Sequence, residues 1–201
     1  MRAAPSPRFA MGRVRWKRFA FVMVPSAVVA AALIGLTAEG AIGANISVSG
    51  QEFTVTANQL TGSGFEQFGS MVKSGDKQIP VAESAIRSAK LTNLCQAVKI
   101  GSVTLLLRAG RSSGNPVSAS NLIVDASSLS GDASFHNIAI GQDAGTLNED
   151  PGTTGTPGSF GEQADTVTIN HLVQNTWLTT AGTFTLPGLS LGVSTNGGTC
   201  P

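Results

Sequence analysis

From about residue 45 onward, apolar side chains recur at every second position, in short runs interrupted by Gly, Pro, Asn and Asp. Val103, Leu105 and Leu107 alternate with Thr104 and Arg108, and Val167, Ile169 and Val173 stand opposite Thr166, Thr168 and Asn170. A period of two puts such residues on one face of a pleated strand, whereas an amphipathic helix needs a period near 3.6. Ile46 and Val48 are followed by Phe53, Val55 and Ala57 with a parity change near Gly50, which predicts two strand segments joined by a bulge or turn. Leu122 with Val124, then Ile138 with Ile140, extend the pattern, and Phe184 and Leu186 lead across Pro187-Gly188 to Leu189, Leu191 and Val193.

Two stretches depart from it. In residues 81–98, "VAESAIRSAKLTNLCQAV", Val81, Ala85 and Ala89 have helical spacing, but Leu91, Thr92, Leu94 and Cys95 blur the stripe, so helix and strand both stand. Residues 141–165 have the Gly, Pro, Thr and Asp of a long surface loop without core-forming periodicity, a length that marks a functional or mobile segment. Its acids, Asp143, Glu149, Asp150, Glu162 and Asp165, lack the spacing of a calcium-binding loop and read as solvated carboxylates.

The fold class expected is mostly β: an N-terminal signal or transmembrane helix followed by one β-rich domain, with at most one further helix. A sheet with one apolar face must cover it. With so little helix available the cover is more sheet, as a sandwich, a barrel-like wrap or a short solenoid. The other option is a curved sheet whose apolar concave side is left for a lipid-like guest.

Charge divides the chain. The first 18 residues hold six of the thirteen Lys/Arg and none of the twelve Asp/Glu, leaving seven cations against twelve acids, a net of −5, from Phe19 on. Residues 19–38 then run twenty positions without a charge, long enough to cross a bilayer. A basic flank (1–18), an apolar run (19–38) and small residues after it define an export signal or membrane anchor, with cleavage near Ala44 and retention both open. Residues 45–201 form the exported domain in either case, at the cell membrane or secreted. That compartment makes an even cysteine count a bridge, Cys95 to Cys200. The mildly acidic, Tyr-free remainder offers no phosphate-binding surface or stacking platform, so nucleic acid is not an expected partner, and no nucleotide loop or cofactor motif is present.

One motif raises chemistry. Gly110-Arg111-Ser112-Ser113-Gly114 spells G-x-S-x-G, the nucleophile elbow of hydrolases, and Ser112, Asp125 (or Asp132) and His171 (or His136) follow the hydrolase order Ser, acid, His. An elbow needs a helix directly after its Ser, whose N-terminus helps to stabilise the oxyanion. Asn115-Pro116 stands there instead, so the motif reads as a strand-to-strand turn and the triad as the alternative. Two S-x-x-K matches, at Ser70 and Ser74, lack their partner motifs. His136 and His171, in register with neighbouring apolar residues, read as core histidines rather than metal ligands.

The segments "RWKRFAFVMVPS", "SVSGQEFTVTANQLTGSGFEQFG", "LTNLCQAV", "IGQDA", "FGEQADTV" and "TAGTFTLPGLSL", spread over residues 15–191, resemble an uncharacterised family of small exported or membrane-anchored proteins of high-GC Gram-positive bacteria. Some members carry the label cholesterol esterase, and the resemblance brings no catalytic residue set with it. The function expected is a non-enzymatic envelope protein whose outer β domain binds a hydrophobic ligand or membrane partner. The alternative is a serine esterase acting on lipid esters through Ser112, His171 and Asp125. Intact mass of the native exported protein checks the processing: cleavage near Ala44 removes the anchor's mass, and reduction adds the mass of two hydrogens if Cys95 and Cys200 are joined.

Overall fold

The computed structural model describes residues 49–112, 114–150 and 152–200. The basic flank, the apolar run 19–38, the cleavage region and the strand segment at Ile46 and Val48 lie outside the described residues. Nine strands follow, with one 3-10 turn at Ala144–Thr146 and no α-helix among the described residues. The strands are β1 (Phe53–Ser74), β2 (Lys77–Thr92), β3 (Leu94–Ile100), β4 (Val103–Ala109), β5 (Val117–His136), β6 (Ala139–Asp143), β7 (Phe160–Thr180), β8 (Thr183–Thr185) and β9 (Ser190–Ser194).

Residues 81–98 are therefore strand. β2 and β3 run on in a single antiparallel register against β1, from Ser74↔Lys77 through Gln59↔Thr92 to Phe53↔Val98. Asn93, in the left-handed region at φ 53°, interrupts the alternation between them, which is why Leu91, Thr92, Leu94 and Cys95 obscure the period. Its backbone N–H donates to Gly110 O (2.7 Å) and its side-chain amide to Asn58 Oδ1 (3.1 Å). Up to Leu91 the outer edge of this long strand pairs with β5, and from Leu94 it pairs with β4.

The sheet closes on itself. β7 pairs with β5 along one edge, and through Phe53↔Thr176 to Ala57↔Leu172 with β1 along the other, so β1, β2, β5 and β7 form a ring. Into it point Leu60, Phe65, Ile86, Leu122, Ile169 and Leu172, all buried. At about 1.5–3 kcal/mol for each large side chain removed from water, this interior is the main stabilising term. The strands β3, β4 and β9 leave the ring as a three-stranded wing that begins at β1.

The loop expected over 141–165 is shorter and better anchored than its composition suggests. β6 takes its start, β7 its end, and the part between packs Ala144 and Leu147 against Phe68 on the outside of the ring. The backbone N–H of Asp150 donates to Glu66 Oε1 (2.6 Å), and Thr153 Oγ1 donates to Glu83 (2.9 Å). Few apolar residues suffice because hydrogen bonds to ring side chains do the anchoring, and these leave no periodic trace.

His171 and His136 are not core residues: both are exposed. Between Ser130↔Val173 and Asp132↔Asn170 the strand β7 carries one extra residue, a bulge, with His171 at φ 54° facing Gly131 at φ 153°. A Cβ at Gly131 would lie 2.6 Å from Ile169 Cγ2 and 2.8 Å from Asn170 O, so the bulge needs glycine there. The extra residue turns His171 and Val173 outward and gives the inner place to Leu172. Ile138 and Ile140 are likewise exposed, on the strand end beyond the ring.

Cys95 and Cys200 are joined by a disulfide, with Cα atoms 5.7 Å apart and a sequence separation of 105. The tail after β9 thereby lies on one face of the wing: Gly198 N–H donates to Ser194 Oγ (3.1 Å), and a Cβ at Gly198 would touch Leu106 Cδ1 at 2.8 Å. Replacing both cysteines by Ser frees that tail. The expected outcome is a loss of up to about 4–5 kcal/mol, the chain-entropy limit for such a loop, read as a lower urea midpoint, with protease trimming beyond Ser194.

Candidate functional site

Ser112 lies in the connection between β4 and β5, where Asn115 N–H donates to its carbonyl (3.0 Å) and closes a turn. The preceding Gly110, at φ 62°, sits where a Cβ would be 2.8 Å from Val117 N and 3.1 Å from Leu91 O. The first glycine of the G-x-S-x-G thus serves the corner between wing and ring, and the chain continues into a strand rather than a helix.

His171 Nδ1 bonds Asp132 Oδ2 at 2.9 Å, with side chains 83% and 78% exposed, so solvent screens the pair and it contributes little to stability. Asp125 is seven positions further along β5, about 20 Å away at about 3.3 Å per residue. It cannot orient His171. The set Ser112, His171, Asp125 is not assembled, because the order of residues along the chain says nothing about which strand position each occupies.

Asp125 instead belongs to an acid pair with the half-buried Glu83. It is 5% exposed and directly opposite Glu83 across the β2–β5 ladder, and its Oδ1 has no hydrogen-bond partner. Burial, then the neighbouring Glu83 carboxylate, push its pKa up to about 6. Glu66, fully buried under the 147–152 segment, is raised by desolvation as well. Glu66 accepts from the Asp150 backbone N–H, while Glu83 stands at the edge of a groove of about 550 Å³ that it shares with Phe68, Met71, Pro80 and Thr154–Thr156.

A second open surface lies on the wing. Cross-strand pairing sets Val193, Leu105, Val98 and Phe53 in one row, and Leu191, Leu107, Gln96 and Val55 in the next, all on one face of the wing. The tail covers the opposite face, while on this one Leu191 and Val193 are 69% and 67% exposed. The face leads into a groove of about 560 Å³ between Phe53 and Gln96 on one side and, on the other, the end of β7 from Trp177 to Thr180 with the following Ala181; Phe184 is at its side.

Behind the groove, inside the ring, is an apolar cavity of about 50 Å³, several times the 10–15 Å³ that a water needs. Gln96, Thr179 and Phe184 line both spaces. Thr179 Oγ1 and Trp177 Nε1, the latter on a ring packed against Val72 and Val81, are buried without a hydrogen-bond partner. Sequence reasoning missed Trp177, Thr179 and Phe184, since their only local signal is strand alternation and their partner Gln96 is some eighty residues away.

The acid pair gives a pH dependence. A carboxyl raised from 3.8 to about 6 holds its proton more tightly folded than unfolded, so stability is greatest below about pH 4, falls as pH rises to about 6 and is level above. Urea midpoints from pH 4 to 7 are expected to show this fall, on the order of 2 kcal/mol for this group. Asp125→Asn should flatten that part of the curve and raise the midpoint at pH 7.

No curated protein and no solved structure matches the chain. One family does, described as a family of unknown function (DUF6230), over residues 49–201, which takes in every described residue and about three quarters of the sequence. The chain belongs to this uncharacterised family, DUF6230.

Proposed function

We propose that the protein is a non-enzymatic component of the cell envelope, in which residues 19–38 hold or deliver the β domain at the outer side of the membrane and the domain binds a hydrophobic molecule. The observation that carries the reading is the wing: one face is covered by the disulfide-tied tail, and the other leaves Leu191 and Val193 open beside a groove. Contiguous exposed apolar surface of this kind, rimmed by polar residues, marks interaction sites in soluble domains. The disulfide supports an oxidising compartment, and the apolar run preceded by six cations supports the membrane as the route there. The His171–Asp132 pair lies fifteen positions along β5 from Val117, the strand end beside which Ser112 sits, so the esterase alternative has no assembled triad to support it.

The test uses the full chain held in amphipol and Nile red, an uncharged apolar dye. Leu191→Asp together with Val193→Asp is expected to weaken dye binding about tenfold or more while moving the urea midpoint little, since both side chains are exposed. Undiminished binding overturns the reading. Protease added to intact cells should digest the domain; protection until lysis overturns the location.

A further inference from the structure

We infer that the end of the β domain at which Ser49 enters is a docking surface for an anionic phospholipid bilayer, made by the tips of the β1–β2 and β3–β4 hairpins. The inference rests on the proposed location, with residues 19–38 retained as anchor, and adds the part of the domain that meets the lipid. Both tips stand where the chain comes in. A Cβ at Gly50 would lie 3.6 Å from Oγ of Ser74, where β1 ends. β3 runs antiparallel to β1 from Thr56↔Cys95 to Phe53↔Val98, so its continuation through Lys99 and Ile100 heads toward the incoming chain.

The tether selects this end. Ten residues, 39–48, separate the apolar run from Ser49, and fully extended they span at most about 35 Å. Ser49 and Trp177 line the same groove, whereas Asp165 is twelve positions back along β7 from Trp177, about 40 Å away.

Charge selects it too. Residues 49–201 carry seven Lys/Arg against eleven Asp/Glu, yet three of the seven, Lys73, Lys77 and Lys99, are exposed at the two tips. None of the three forms an ion pair among the described residues. The acids of the same end are Asp76, in the first turn, and Glu52, which accepts from the Ser127 hydroxyl, so the end is net positive. The far parts of β5, β6 and β7 present exposed Asp132, Asp143 and Asp165 instead. An anionic leaflet attracts the first end and repels the other. Each tip also exposes an apolar side chain, Met71 near Lys73 and Ile100 beside Lys99. Lysine with apolar surface alongside suits the boundary between phosphates and acyl chains.

The test follows lysine acetylation by mass spectrometry at a dose that modifies each chain about once. The full chain is held in nanodiscs of phosphatidylcholine, alone or with about 30% phosphatidylglycerol. Lys90, exposed and thirteen positions along β2 from Lys77, is the internal reference. One Lys at an anionic surface shifts the docked population about fivefold. Lys73, Lys77 and Lys99 are expected to react at least about fivefold more slowly with phosphatidylglycerol present, with Lys90 unchanged, and the difference should fade in about 0.5 M NaCl. In the double variant Lys73→Ser, Lys77→Ser, whose exposed positions leave the urea midpoint nearly in place, the shielding of Lys99 should fall below about twofold. No difference between the two lipids, equal shielding of Lys90, or undiminished shielding of Lys99 in the double variant overturns the inference. The same shielding in dodecyl maltoside reports contact between copies and overturns it as well. If the lysines stay unshielded while protease digests the domain on intact cells, the docking surface falls and the proposed location stands. A domain protected until lysis takes down both.

Discussion

The whole arrangement hangs on five residues, Phe53 to Ala57, because they are hydrogen-bonded along both edges. On one side they pair with β7 and close the ring; on the other, Phe53 to Thr56 pair with β3 and launch the wing. A strand segment paired on both edges leaves no backbone group without a partner in the sheet. The cavity and the groove exist because the same short segment is at once the seam of a closed sheet and the root of an open one.

Asn93 does for topology what that segment does for hydrogen bonding. Its left-handed backbone lets one long strand serve two neighbours in succession, β5 and then β4, while keeping its register with β1. Beyond the fork the wing has two faces to cover and one short tail to do it. The tail lies on the side of Leu106, and Leu191 and Val193 on the other face stay open. The asymmetry is thus produced by where a disulfide ends.

Much of the strand content was legible in the sequence, because period-two alternation at Val103–Leu107, Leu122–Val124 and Leu189–Val193 reports a pleated surface whatever covers it. The barrel-like wrap was among the expectations, and the ring is such a wrap. What alternation cannot report is a change of parity caused by one backbone angle. Asn93 made a strand look half helical, and the extra residue at His171 reversed which side chains face inward. Nor does it report exposure: Leu191 and Val193 read as core residues until the tail is seen to lie on the other side. The site itself was illegible, since Gln96, Trp177, Thr179 and Phe184 meet only once the ring is closed.

That closure also sets the order of events in folding. The hairpin of β1 with β2 and β3 joins neighbours in sequence, but its pairing with β7 brings together Thr56 and Val173, well over a hundred residues apart. Loop entropy opposes such a contact until most intervening strands are in place, and folds rich in non-local pairing form slowly. The nascent domain therefore spends its early life as an open sheet with the interior leucines and isoleucines in contact with the surroundings.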